Sequence, residues 1–543
     1  MKRALLVITF LSFSSVAFAQ SEFDKAKKAF REAIVNMSAG DAESAAKAIA
    51  KSDNREAVDT LLDGYGICAT MIKQLWVDKL KWMKEIEKYG NWEADWSKNP
   101  AIVKAGDVAE YQKWLAASKE AQEVERKIMS VEAVKSGIVM ALGEFKSDAA
   151  VKELITKFKN DSSWQRRAGV AEALGRIKHS DGIASIIDRL KNDIEQGVKI
   201  ACMDALRAAG TKSPEAVAAV AEQLKSDYWQ VKATAAHTLK ALGKDAKDAV
   251  EALIEAIKSS EGRLKGDIND ALVAISGVDK HADYAAWKAW YESNKDAVKG
   301  GTYKPGAGEG ANKGNDGGTT TFYGVPVKSK NVIFILDRSG SMAEPSEWEI
   351  PPDVATGSGA GNDLKPEGKR KIDIARWQLR RCIAQLPNGT DFNIVFFSHD
   401  WTIMSEKMIT MSDSTRKQAQ AFVEKLEPQG GTNIFDPLEK AFSFAGSADK
   451  VLKGSVDTIF LMTDGMPNSG QVPAADEIVK KIKEMNKTKK IVINTIGTFS
   501  TGGAGKGLGG GQSESELGAE FLEKLAKDSG GVFTSAMKKE PKK

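Results

Sequence analysis

The dipeptides Ala141-Leu142, Ala173-Leu174, Ala205-Leu206, Thr238-Leu239 and Ala271-Leu272 recur at steps of 32, 32, 33 and 33 residues, each inside a stretch with apolar residues every three or four positions. A second helical pattern follows each, such as Val151, Leu154, Ile155 and Phe158, or Val250, Leu253, Ile254 and Ile257. Gly143, Gly175, Gly210 and Gly243 punctuate the turns, and Ser213-Pro214 reads as a cap followed by a first-turn proline. Two helices per unit at this period make an α-solenoid, because one unit cannot bury its apolar face alone and must stack on its neighbours. The expectation is a helical array over 131–293, closed by Ala285, Trp287, Trp290 and Tyr291, with an extended surface suited to a second protein.

Upstream, residues 20–130 are rich in Ala, Lys and Glu and carry two long amphipathic patterns. Ile72, Trp76, Leu80, Met83 and Ile86 mark one; Val124, Ile128, Val131, Val134 and Ile138 mark the other. With turn residues from Tyr89 to Pro100 between them, an antiparallel helical hairpin is expected. Trp76, Trp82, Trp92, Trp96 and Trp114 crowd this region, reading as hairpin core, with an aromatic groove as the alternative. Met1-Lys2-Arg3, the apolar run Ala4–Phe13 and Ala17-Phe18-Ala19 have the three parts of a secretory signal peptide spanning 1–19. A soluble, secreted protein, periplasmic or extracellular, is the expectation, since no stretch is long and apolar enough to span a membrane. Three isolated cysteines, Cys68, Cys202 and Cys382, do not make a disulfide scaffold. A net charge of +4 on 543 residues argues against a dedicated nucleic-acid surface, and the basic tail 538–543 reads as a frayed terminus.

Composition changes abruptly at 294–325, where glycines and polar residues suggest a flexible linker that lets two halves reorient. From 326 to 537 strand and helix patterns alternate, the mark of a doubly wound α/β fold. A mainly parallel sheet with helices on both faces follows, with ligands at the carboxyl ends of its strands. Val332 to Leu336 is a buried strand that ends in Asp337, followed by Ser339, the turn residue Gly340, and Ser341. Gly430-Gly431-Thr432-Asn433 offers a third hydroxyl, and a second apolar strand ends in Thr463-Asp464-Gly465. Carboxylates and hydroxyls are hard ligands that suit Mg2+, or Mn2+ and Ca2+ in its place, and no sulfur or imidazole stands beside them. Asp-x-Ser-x-Ser alone also reads as a capped turn before a helix. All five candidate ligands fall at strand ends or in the loops that follow, which favours the metal.

On these residues the chain resembles two families. The solenoid resembles short HEAT repeats, of the kind also found in the phycobilisome-lyase group, although no cysteine is exposed by pattern for bilin chemistry. Asp337-x-Ser339-x-Ser341 with Thr432 and Asp464 resembles the metal-ion-dependent adhesion site of von Willebrand factor type A domains. The resemblance implies that Asp337, Ser339 and Ser341 hold the metal directly or through water. It also implies that Thr432 alternates between direct and water-mediated contact, that Asp464 anchors waters, and that the open position takes an Asp or Glu carboxylate from a protein partner.

Two stretches depart from the minimal domain. Ala343–Lys369 is a long insertion carrying Glu344, Glu347, Trp348, Glu349 and Pro351-Pro352. It is either a surface loop or a specificity lid built on Glu347, Trp348 and Glu349, one of whose acids could occupy the open metal position. Ser500–Gln512 is glycine-rich around Lys506 but fails the phosphate-loop pattern, since Gly507 stands where Ser or Thr is required. The leading functional reading is a secreted adhesion-type scaffold and not an enzyme. The alternatives are an envelope enzyme or enzyme-complex subunit that uses the domain for assembly, and a solenoid scaffold with a purely structural metal site. Against catalysis, there is no His-Glu-x-x-His or Gly-x-Ser-x-Gly, and His399-Asp400, the one arguable general base, has no nucleophile beside it in sequence.

Overall fold

The computed structural model describes residues 22–89, 105–306, 320–347, 365–445, 456–499 and 513–535. Helices α1 (22–35) and α2 (Ala39–Ala50) precede the long pair α3 (Arg55–Tyr89) and α4 (Ala105–Leu142). Their pairing is fixed by an ion pair, Lys79 Nζ to Glu125 Oε2 at 2.9 Å, whose side chains are 3% and 0% exposed. Trp114, Val124, Ile128, Val131, Val134 and Ile138 are buried as their spacing predicts, whereas Leu80 on α3 is 56% exposed and breaks the expected stripe. Trp76 and Trp82 are half-buried with Lys79 and Lys81 over their rings. Trp92, Trp96, the hairpin turn and the signal segment lie outside the described residues.

The repeats follow as α5 (Asp148–Asn160), α6 (Trp164–Ile177), α7 (Ser180–Asn192), α8 (Gln196–Ala209), α9 (Pro214–Glu222), α10 (Trp229–Leu242) and α11 (Val250–Lys258). Ser147, Ser163 and Ser213 cap α5, α6 and α9 by accepting from Ala150, Arg166 and Ala216 N–H groups. Each cap closes a donor that the helix leaves open, for about 1 kcal/mol. Equivalent helices of successive repeats pack directly. A Cβ on Gly175 of α6 would lie 2.8 Å from Ala205 Cβ on α8, so the approach depends on a glycine there. Between the same repeats Arg167 forks onto Asp193, Nε to Oδ2 at 2.8 Å and Nη2 to Oδ1 at 3.0 Å, and Arg189 adds a third bond at 3.3 Å. Cys68, Cys202 and Cys382 are free thiols buried in helices.

Leu253 onward, together with Asp227–Ala233, forms one compact unit with the sheet. In this unit α12 (Gly262–Ser276) and α13 (Tyr284–Gly300) pair through Asn269, whose Oδ1 accepts from Trp287 Nε1 and Ala282 N, both at 2.8 Å. Trp287, Trp290 and Tyr291 are buried, while Ala285 is exposed. Helix α13 runs on to Gly300, and the chain after it folds back so that Tyr303 OH accepts from Trp290 Nε1 at 3.0 Å. At the N-terminal end of α12, Arg263 Nη1 donates to the carbonyls of Asp457 at 2.7 Å and Lys490 at 2.9 Å. Of the expected linker, residues 307–319 lie outside the described ones.

A short hairpin leads into the main sheet. Strands β1 (Thr321–Phe322) and β2 (Val325–Pro326) form a hairpin whose Phe322 is fully buried, 5.4 Å from the Phe334 ring and 5.9 Å from Phe460. The main sheet contains β3 (Asn331–Asp337), β4 (Asp391–Phe397), β5 (Trp401–Ile403), β6 (Ile409–Thr410), β7 (Thr458–Thr463), β8 (Val492–Gly497) and β9 (Phe533–Ser535). Their order is β5-β4-β3-β7-β8-β9, with β6 also against β4; β3, β4, β7, β8 and β9 are parallel, and β5 and β6 antiparallel. Helices α14 (Lys371–Gln385), α15 (Asp413–Val423), α16 (Phe435–Ser443), α17 (Ala475–Lys489) and α18 (Glu514–Ser529) connect the strands. The chain leaves β3 toward β4 on one side, and β7 then starts the run outward on the other. This reversal opens a crevice at the carboxyl ends of β3 and β7. Among the described residues no helix is long and apolar enough to cross a membrane.

Candidate functional site

Two carboxylates end the two strands that flank the crevice. Asp337 closes β3 and is fully buried; Asp464 follows β7 and is 8% exposed. Parallel pairing aligns them, since Leu336 lies opposite Met462 in the register of β3 and β7. Asp337 Oδ1 accepts the Ser339 N–H at 2.6 Å, and its Oδ2 accepts the Thr463 hydroxyl. Ser339 and Ser341 hydroxyls stand 3.1 Å apart, and Ser341 Oγ donates to Asp464 Oδ1 at 2.8 Å. The turn that follows is one short 3-10 helix, Gly340–Ala343. Four of the five expected ligands thus form one hydrogen-bonded group.

Thr432 reaches the group by a different route. The Gly430 carbonyl accepts from Gly340 N at 2.9 Å, docking the glycine loop on the turn after β3. Thr432 N donates to Asn468 Oδ1 at 2.8 Å, and Thr432 Oγ1 lies 3.7 Å from where a Cβ on Gly465 would stand, beside Asp464. Asn433 N donates to Ser398 O at the end of β4 at 2.6 Å. Gly430 has φ +67°, and a Cβ there would fall 1.9 Å from His399 Nδ1, so both conformation and space require glycine. Asp400 is held by Arg338 at 2.9 Å and by the Ser398 hydroxyl at 2.7 Å. Burial opposes its ionisation, but these partners outweigh it and keep the carboxyl below the usual aspartate range.

The electrostatics centre on a lysine that the sequence did not single out. Lys371 begins α14, is 3% exposed, and its Nζ donates to Asp464 Oδ2 at 2.7 Å and to Glu344 Oε2 at 2.8 Å. Burial disfavours its charge, but the Asp464 and Glu344 carboxylates reverse that and raise its pKa. Asp337 moves upward too, chiefly through burial and then through repulsion from Asp464, while the Thr463 and Ser339 hydrogen bonds oppose the shift. A signal for Thr463 existed in Thr463-Asp464-Gly465; for Lys371 there was only its place at the start of a helix after the insertion.

The insertion is pinned at its base. Pro345 bridges Arg370 antiparallel, Ser346 N donates to Lys369 O at 2.7 Å, and Lys371 N donates to Glu344 O at 2.8 Å. Of the acids expected in a lid, Glu347 is half-buried just beyond this bridge, and Trp348 and Glu349 lie outside the described residues, as does 500–512. The acid shown reaching the site is Glu344, through Lys371. Among the described residues no three His, Cys, Asp or Glu side chains gather to hold a metal, so any cation here would be bound by two carboxylates and hydroxyls. That donor set fits a hard divalent cation, and the repulsion between Asp337 and Asp464 is what such a cation would relieve.

Residues 369–504 match the family model for the von Willebrand factor type A domain, and 130–207 match that for HEAT repeats. Inter-alpha-trypsin inhibitor heavy chain H4 of Homo sapiens is 28% identical over 212 residues, covering 38% of this chain and 18% of that protein. Von Willebrand factor A domain-containing protein 3A of Homo sapiens is 23% identical over 217 residues, covering 40% of this chain and 14% of its own length. The match therefore spans under a fifth of these curated relatives. A solved von Willebrand factor type A protein from Catenulispora acidiphila aligns with 18% identity and a TM-score of 0.26, over 39% of each chain. With the sheet order above, the chain joins a HEAT-repeat helical region to a C-terminal von Willebrand factor type A domain.

Proposed function

We propose that this is a secreted, non-enzymatic interaction protein whose α/β domain binds an acidic group of a partner protein through a divalent cation. Mg2+ is the first choice, with Mn2+ or Ca2+ as substitutes, and the ligands are Asp337, Ser339, Ser341, Thr432 and Asp464. One observation carries the reading: the oxygen-bearing side chains of two separate strand ends and a glycine loop come together at the crevice where the sheet reverses its winding. The bound cation supplies an electrophilic position for a carboxylate. The chain's own residues prepare it. Thr463 and the Ser339 N–H fix Asp337, Ser341 orients Asp464, and the Gly430 carbonyl holds the Thr432 loop in place. Relatives named as inhibitor heavy chains agree with a binding role. Residues 1–19 support secretion, and the solenoid offers a second protein surface.

The test is calorimetric titration of Mg2+ into the mature chain and its Asp337→Ala variant, followed by pull-down from envelope extract with Mg2+, with EDTA, and with the variant. Metal uptake should vanish in Asp337→Ala with far-UV circular dichroism unchanged, because the residue ends its strand rather than filling the core. Retained uptake, or a large loss of helical signal, would overturn the assignment. A partner held by the metal-loaded wild type alone supports the reading; partners retained in all three lanes move the binding to the solenoid.

A further inference from the structure

We infer that Lys371 is a built-in counter-cation of the site: by holding Asp464 it leaves Asp337 as the one uncompensated carboxylate, so that a divalent cation is held firmly only together with an incoming acidic group. The inference rests on the proposed metal reading and adds a condition to it. Lys371 is not a surface lysine that happens to reach an acid. Its Nζ is 2.7 Å from Asp464 Oδ2, its side chain is 3% exposed, and that of Asp464 is 0% exposed. Its backbone is fixed as well, as the first residue of α14 and a donor to the Glu344 carbonyl.

Charge balance gives the consequence. Asp337 and Asp464 would neutralise a divalent cation between them, and an arriving carboxylate would then find no charge to meet. With the ammonium in place the three buried groups carry one net negative charge, so the bound cation leaves one positive charge in excess. Water does little to screen that excess, because Asp337, Ser339 and Thr432 are 0%, 2% and 4% exposed. An acidic ligand cancels it. Glu344 shares the ammonium at 2.8 Å, but its side chain is 55% exposed, so solvent screens most of its charge. Glu344 therefore moderates Lys371 without neutralising it, and ties this balance to the base of the 343–369 insertion.

The experiment titrates Mg2+ into the full mature chain in chloride, and again with acetate replacing chloride at equal ionic strength, for wild type, Lys371→Met and Glu344→Gln. Wild type should bind Mg2+ more tightly when acetate is present. Lys371→Met should bind Mg2+ alone roughly tenfold more tightly and lose the acetate effect. Glu344→Gln should shift the other way, weakening Mg2+ alone by about twofold, since Lys371 then bears wholly on Asp464. Melting in EDTA supplies a readout without metal: Lys371→Met should melt lower than wild type, because the buried Asp464 carboxylate loses its counter-charge. If Lys371→Met does not fold, Glu344→Gln against wild type decides. Wild-type uptake of Mg2+ with the same affinity in every folded variant and no acetate effect overturns this inference alone. Wild type that takes up no Mg2+ overturns both it and the metal reading.

Discussion

Asp337 has two carboxylate oxygens and two neighbours that donate to them, yet burial and the charge of Asp464 still raise its pKa above the usual aspartate range. Because its folded pKa is raised, the folded chain keeps a proton that the unfolded chain has already released. Stability therefore falls as pH rises from the usual aspartate range toward the raised value. In EDTA the melting temperature should decline with pH across that window, and Asp337→Asn should flatten the decline. Asp457, raised mainly by burial, adds a slope of the same sign that the variant leaves in place. An Asp337→Asn profile as steep as wild type would remove Asp337 as the cause. The five candidate ligands were read from local chemistry: Asp337, Ser339, Ser341 and Asp464 sit at or just past a strand end, and Thr432 in a glycine loop, each with an oxygen-bearing side chain. Lys371 was not, since a lysine opening a helix ordinarily points to water. It sits beside the Pro345–Arg370 bridge, a contact between the start of the insertion and the residue just after its end.

At the scale of helices and strands, period and polarity carried most of the information. The four Ala-Leu dipeptides fall in α4, α6, α8 and α12 and Thr238-Leu239 in α10, and the strand runs become the parallel strands β3, β4, β7 and β8. What periodicity does not encode is how close two helices come. The Gly175–Ala205 approach of α6 and α8 is an example: a glycine marks a turn or a packing point equally well in sequence, and here it packs inside the last turn of α6. Gly175→Val should cost roughly 1–3 kcal/mol through overpacking, despite a residue with better helix propensity than glycine. Urea denaturation of the helical region checks this, and an unchanged midpoint would mean that the repeats slide apart at no cost. The exposure of Leu80 is a second case. A stripe at steps of three and four predicts a buried face, but a long helix needs neighbours along its whole length to bury it.

At the scale of the whole molecule, composition reads a boundary only locally. Glycine-rich polar sequence reads as a linker, whereas Phe322 belongs to the sheet core, and α12 is bonded to the same sheet through Arg263. Those are contacts between residues far apart in the chain, which no local pattern reports. A fragment starting at Leu253 should therefore melt cooperatively and at higher temperature than one starting at Pro326, which loses Phe322, the first hairpin and Arg263. Equal melting would restore the later boundary. The position of Arg263 has a mechanical consequence. It grips the Asp457 carbonyl at the start of β7, and Asp464 stands at the other end of that strand. Were a ligand bound at Asp464, tension between it and α12 would run lengthwise along β7, which is hydrogen-bonded on both sides, to β3 and to β8. Those bonds are loaded in shear and share the force together, so the strand resists a pull along its axis far better than a peel from its edge.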